Sequence, residues 1–125
     1  MSAAENKSET QSAYQAFAAG DLEGAMRNMA DDIEWVVPGN STISGVYRGR
    51  EAVAGFFQTL ASKSFRTEPQ YFVAEDDRVV VLTRITAGGE SADQADVLTF
   101  GEDGKLTKFQ AATDTALQER VWGSR

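Results

Sequence analysis

The chain has 125 residues, 42 % of them hydrophobic, and a formal charge of −7, a size that fits one domain with one core. Its twelve basic residues are scattered, so neither nucleic acid, which demands clustered Lys and Arg, nor an anionic membrane surface is an expected partner. Cysteine and histidine are both absent, which removes disulfides, thiol nucleophiles and the commonest general base and metal ligand, and leaves carboxylates, Tyr, Lys and Arg for chemistry.

Residues 1–125 read as a single domain, with 1–6 as a frayed start. The polar run Met1–Gln11 lacks the apolar core of ~7–15 residues that a secretory signal carries. No stretch reaches the ~18 apolar residues of a membrane span, so a cytoplasmic location is expected. Tyr14, Phe17 and Ala18 share a helical face, Gly20 stops that helix, and Asp21 caps a second one whose inward stripe is Leu22, Ala25, Met26 and Met29. Asp31-Asp32 ends it. Ile33, Trp35 and Val37 then alternate along a strand that Pro38 closes.

Gly39 to Gly49 reads as a loop, with Gly39-Asn40-Ser41-Thr42 a candidate lid. A third helix follows over about 50–62, burying Val53, Phe57 and Leu60 with Phe56 alongside. Four strands come next, at about 65–74, 78–87, 94–100 and 105–113. They are separated by the turn signals Glu75-Asp76-Asp77, Gly88-Gly89 and Glu102-Asp103-Gly104, which implies a meander. Asp114 can cap a short last helix. Helices first and a sheet after them give an α+β layer, in which the sheet covers its apolar face with the earlier helices and a ligand fits between.

The run Tyr14-x-x-Phe17-x-x-Gly20-Asp21, the Ala30-Asp31-Asp32 segment, the strand closing on Pro38, Tyr47-x-Gly49-x-Glu51-Ala-Val53 and the late Asp103-Gly104-Lys105 resemble the nuclear-transport-factor-2-like superfamily. More narrowly they resemble its SnoaL-like and ketosteroid-isomerase-like branch, over roughly residues 10–120. The resemblance implies a cone-shaped, curved antiparallel sheet on three N-terminal helices (a cystatin-like roll), a deep apolar pocket, no cofactor, and a homodimer packed through the sheet. It does not fix an activity, because one fold hosts many. Residue by residue, the isomerase's general-base position is Val37 here, its oxyanion Tyr falls on Ala13 with Tyr14 one place off, and its supporting tyrosines fall on Met29 and Phe57. Its oxyanion acid falls on Asp96. The second acid of an epoxide-hydrolase-like dyad would fall on Ala111.

Asp96 is therefore the first catalytic candidate, sharing a strand face with Leu98 and Phe100; burial there would favour its protonated form. Its other reading is a solvated or ion-paired strand carboxylate. Arg84, in an apolar strand, reads either as a clamp for a substrate carboxylate and partner of Asp96, or as an arginine on the outer face. Tyr14 either aims its hydroxyl into the cavity or caps core packing. The expected pocket wall is Phe17, Trp35, Val37, Phe57, Leu60, Leu98, Phe109, Ala111 and Thr113, with Gln110 facing away. Asp31, Asp32 and Glu34 are read as solvated acids, and no metal is expected. The ligand expected is a small apolar or mixed molecule. Two functions remain open: an isomerase, cyclase or dehydratase using Asp96 as acid or base on a cyclic substrate, or a non-catalytic ligand-binding or dimerisation module.

Overall fold

The computed structural model describes residues 2–125. Met1, part of the expected frayed start, lies outside them. The rest of that start is ordered: α1 (Ala3–Ala18) opens on a capping box in which the Ser2 hydroxyl accepts from the Glu5 amide and the Glu5 carboxylate accepts from the Ser2 amide. Each bond satisfies a donor that the helix end would otherwise leave orphaned. Gly20 adopts a left-handed φ of 79°, and Asp21 caps α2 (Leu22–Met26) through the Gly24 amide at 2.9 Å.

This second helix is shorter than the sequence suggests. Met29 to Asp32 belong to β1 (Met29–Val37), which pairs with β2 (Gly45–Arg48), an edge strand inside the segment read as a loop. Arg50 makes the early start of β1 possible, since its guanidinium donates to the carbonyls of Met26 and Met29 at 2.8 and 2.7 Å and so satisfies the bend between α2 and β1. Then follow α3 (Arg50–Ala61), β3 (Arg66–Glu75), β4 (Arg78–Ala87), β5 (Glu90–Phe100), β6 (Leu106–Ala112) and α4 (Thr115–Trp122).

The strands form one curved, unclosed sheet in the order β2-β1-β6-β5-β4-β3. β3 to β6 are the expected antiparallel meander. β1, however, pairs with β6 in parallel, so the sheet is mixed where the resemblance implied a wholly antiparallel one. Its concave face carries Ile33, Trp35, Val79, Val81, Leu98 and Phe109, packed on Val53, Phe56, Phe57 and Leu60 of α3. α1 covers β3 and β4. Asp114 caps α4 through the Leu117 amide at 3.0 Å, and Arg120 pairs with Glu90 at 2.9 Å to hold that helix against the β4–β5 hairpin. Gly88 makes the approach possible: it adopts φ 56°, and a Cβ there would lie 3.1 Å from Val121.

A candidate active site in the mouth of the sheet

Between the concave face and the helices lies a cavity of about 120 Å³. That is below the ~300–1,000 Å³ of ordinary ligand pockets, so it suits a small compound. Its wall is built by alternation: every second residue of a strand points inward, so β6 contributes Phe109 and Ala111, followed by Thr113, while β5 contributes Gln94, Asp96 and Leu98. Phe17, Trp35, Val37, Phe57 and Leu60 complete the expected set, and all nine residues named from the sequence border this space. Trp35 stacks on Phe109 with ring centroids 3.6 Å apart and planes 8° from parallel, while Phe57 meets Trp35 edge-on at 5.2 Å. The wall at this level is thus flat and aromatic.

The polar centre is Asp96, 3 % exposed. Its Oδ2 accepts from the Tyr14 hydroxyl at 2.5 Å, and its Oδ1 accepts from the Gln94 side-chain amide at 2.7 Å. Burial pushes the Asp96 carboxyl up from its ordinary 3.8 to about 6, and the two hydrogen bonds, from Tyr14 and then Gln94, hold it from rising further. Tyr14 is raised well above its ordinary value, first by burial and then by the Asp96 charge and hydrogen bond, so its hydroxyl keeps its proton. A carboxyl that titrates near neutrality beside a locked donor is suited to taking up and returning a proton.

Tyr14 reaches the cavity although it stands one place off the position the resemblance implied for a tyrosine. Ala13 and Tyr14 both border the cavity, because the buried stripe of α1 runs through Asn6, Thr10, Ala13, Tyr14 and Phe17 and is wide enough to hold two adjacent positions. Ala18, expected on that stripe, is exposed. Val37, Met29 and Ala111, where other members of the fold would carry a base, a tyrosine and a second acid, are apolar cavity residues. Among the described residues, neither a second carboxylate nor a further Tyr borders the cavity.

Arg84 lies elsewhere. Inward positions on β4 are 79, 81, 83 and 85, which turns Arg84 to the outer face, where its Nη1 donates to Asp93 at 3.0 Å. It neither pairs with Asp96 nor enters the cavity, so the reading as a clamp falls. The 39–42 loop is tied down as well. The Thr42 amide donates to the Gly123 carbonyl at 2.9 Å and its hydroxyl to the Trp122 carbonyl at 2.7 Å, while the Arg125 amide donates to the Asn40 carbonyl at 3.0 Å. A loop with this many bonds to the C-terminal segment is a rim rather than the free lid expected. Asp31 and Asp32 are exposed strand residues, and Glu34 pairs with Arg48 at 2.9 Å. Gln94 and Gln118 were not singled out in the sequence, although period 2 from Asp96 would have placed Gln94 on its face.

A curved, unclosed sheet with helices over an apolar cavity is the architecture of the nuclear-transport-factor-2-like superfamily. Within it, residues 10–109 match the model of the SnoaL-like domain, and the chain belongs to that family. A relative, Uncharacterized protein Rv0034 of Mycobacterium tuberculosis, is 28 % identical over 117 residues, covering 87 % of this chain and 89 % of its own. Among solved structures, an NTF2-like protein from Burkholderia xenovorans is 28 % identical with a TM-score of 0.77, covering 98 % of both chains. TerC, crystallised with polyporic acid, is 26 % identical with a TM-score of 0.78, covering 95 % of this chain and 98 % of its own. No helix among the described residues is long and apolar enough to cross a membrane.

Proposed function

We propose that this protein binds a cyclic, largely apolar carbonyl compound in the cavity and isomerises or cyclises it by proton transfer through Asp96. The observation that carries the reading is the Asp96 carboxyl, 3 % exposed and held by Tyr14 and Gln94, as the one acidic group among the described residues that line an aromatic-walled cavity. That TerC was crystallised with polyporic acid supports a small-molecule occupant for the equivalent space. At neutral pH Asp96 is mainly the carboxylate and takes a proton from the carbon beside the substrate carbonyl. The C–H bond breaks, the carboxyl O–H forms, and the electron pair moves to the substrate oxygen as an enolate. Once neutral, Asp96 no longer needs the Tyr14 proton, and that hydroxyl is released to donate to the enolate oxygen. Returning the proton to a different carbon restores the carboxylate, so nothing is consumed and no cofactor enters.

The test is deuterium exchange at the α-carbons of 2-tetralone, a two-ring ketone, followed by NMR in heavy water. The wild type is expected to accelerate exchange, with a rate that rises through pH of about 6. Asp96→Asn should lower the rate by about 100-fold or more, the size of a general base's contribution. Asp93→Asn should leave it unchanged. Binding of 2-tetralone without any exchange, in wild type and Asp96→Asn alike, would leave the non-catalytic binding module as the correct reading.

A second observation favours a homodimer. On the outer face, Val73, Val80 and Val97 stand in one register row and Tyr71, Leu82 and Ala95 in the next, with Tyr71 65 % and Val73 57 % exposed. A sheet face with this much apolar area in contact with water is a surface that association would cover. Sedimentation at micromolar concentration is expected to give a dimer, and Val73→Glu a monomer. A wild type that sediments as a monomer rules the dimer out.

A further inference from the structure

α4 brings to the cavity an amide oxygen that no group among the described residues answers. Gln118 is 6 % exposed and borders the space together with Leu117 and Trp122 of the same helix. Its Oε1 has no hydrogen-bond partner, and neither has the Oγ1 of Thr113, which borders the same cavity just before α4 begins. Buried polar atoms are nearly always paired, and an unpaired one costs stability that an apolar side chain of the same shape would not. Asp96, by contrast, has both oxygens engaged. Two unanswered oxygens bordering one cavity mark a position whose partner arrives from outside. The Gln118 oxygen only accepts and the Thr113 hydroxyl can accept or donate, so a ligand hydroxyl, which does both, can answer the pair.

Resting on the proposed occupation of the cavity by a ring compound, we propose that Gln118 and Thr113 form a second anchor, which accepts a hydrogen bond from a hydroxyl on the ligand. The substrate class is then narrower than a cyclic ketone: a ring compound with an oxygen for Asp96 and Tyr14, and a separate hydroxyl for the α4 end. Gln118 lies beyond residue 109, where the family match ends, so this anchor belongs to the C-terminal segment of this chain. It selects the ligand and takes no part in the proton transfer.

Calorimetric titration with 2-naphthol and with the 1,5-, 2,6- and 2,7-dihydroxynaphthalenes tests it, the three isomers covering different spans between the two hydroxyls. At least one diol is expected to bind about 5–10-fold more tightly than 2-naphthol, the gain from one added hydrogen bond. Gln118→Leu should bring that advantage within about twofold, and Thr113→Val should reduce it at least threefold, a test that stands if the Gln118 variant fails to fold. Without ligand, Gln118→Leu should melt at or above the wild-type temperature, because it removes an unpaired polar atom; a lower melting temperature would mark the amide as structural and overturn the proposal. Diols no tighter than 2-naphthol, or an advantage that survives both substitutions, would mean that water alone occupies this end, with the reading of the cavity intact. Absence of binding by every one of these probes, together with absence of 2-tetralone exchange, would bring down the cavity reading as well.

Discussion

Asp93 and Asp96 stand three positions apart on β5, and because side chains alternate along a strand they emerge on opposite faces of the sheet. Asp93 is in water, its side chain 84 % exposed, and meets Arg84 across the outer face. Asp96 is 3 % exposed, faces aromatic carbon, and finds neutral donors in Tyr14 and Gln94 instead of a cation. The residue type, the strand and the neighbouring strand are the same for both. Desolvation without a counter-charge is what sets Asp96 apart: it destabilises the Asp96 carboxylate, so chemistry follows burial and not residue identity.

The largest effect this contrast predicts is on stability against pH. In the folded protein Asp96 holds its proton up to about pH 6, whereas in the unfolded chain it releases it near the ordinary 3.8. Between those values the folded state binds more protons, so stability falls as pH rises, complete below about 4 and lost above about 6. With ~1.4 kcal/mol for each pH unit separating the two values, the loss amounts to about 3 kcal/mol. Urea unfolding at pH 4 and pH 7 should therefore show a difference between wild type and Asp96→Asn that changes by about 3 kcal/mol, in favour of the Asn variant at pH 7. Asp93→Asn should track the wild type across the same range. Parallel curves for wild type and Asp96→Asn would mean that burial does not raise the Asp96 carboxyl in the folded protein.

The same alternation governed what could be read from the sequence. β4 spans the 78–87 segment drawn between the Glu75-Asp76-Asp77 and Gly88-Gly89 turn signals, and the Gly88-Gly89 and Asp103-Gly104 turns fall where those residues place them. Counting in twos put Asp96 with Leu98 and Phe109 with Ala111, the resemblance implied that these faces line the pocket, and all four border the cavity. What stayed hidden was non-local or short. The parallel pairing of β1 with β6 joins residues some 75 positions apart, and nothing in either strand announces it. β2 is four residues at an edge among Gly and Ser, too short to show a period. The Tyr14–Asp96 bond closes a separation of 82 positions, and it depends on how far α1 reaches across β4 and β5, which local pattern does not encode. Gln118 was passed over because a polar residue in an amphipathic helix reads as solvent-facing until the cavity beside it is known.

The outer pair gives the smallest effect and sharpens the contrast from the other side. Arg84 and Asp93 are 47 % and 84 % exposed, so water already solvates both charges and holding two flexible side chains together costs entropy that offsets the attraction. A double-mutant cycle of Arg84→Ala and Asp93→Ala, measured by urea unfolding, should give a coupling of about 0.5 kcal/mol or less that shrinks as salt is raised. Leu82 stands two positions before Arg84 on the same outer face, at the edge of the surface proposed to pair with a second copy. Were that interface to extend over Arg84 and Asp93, water would be expelled from the pair, and the coupling would exceed ~1 kcal/mol and rise with protein concentration. A coupling that stays small and independent of concentration restricts the dimer surface to the Val73 and Tyr71 rows and leaves Asp93 in water and Asp96 in the cavity.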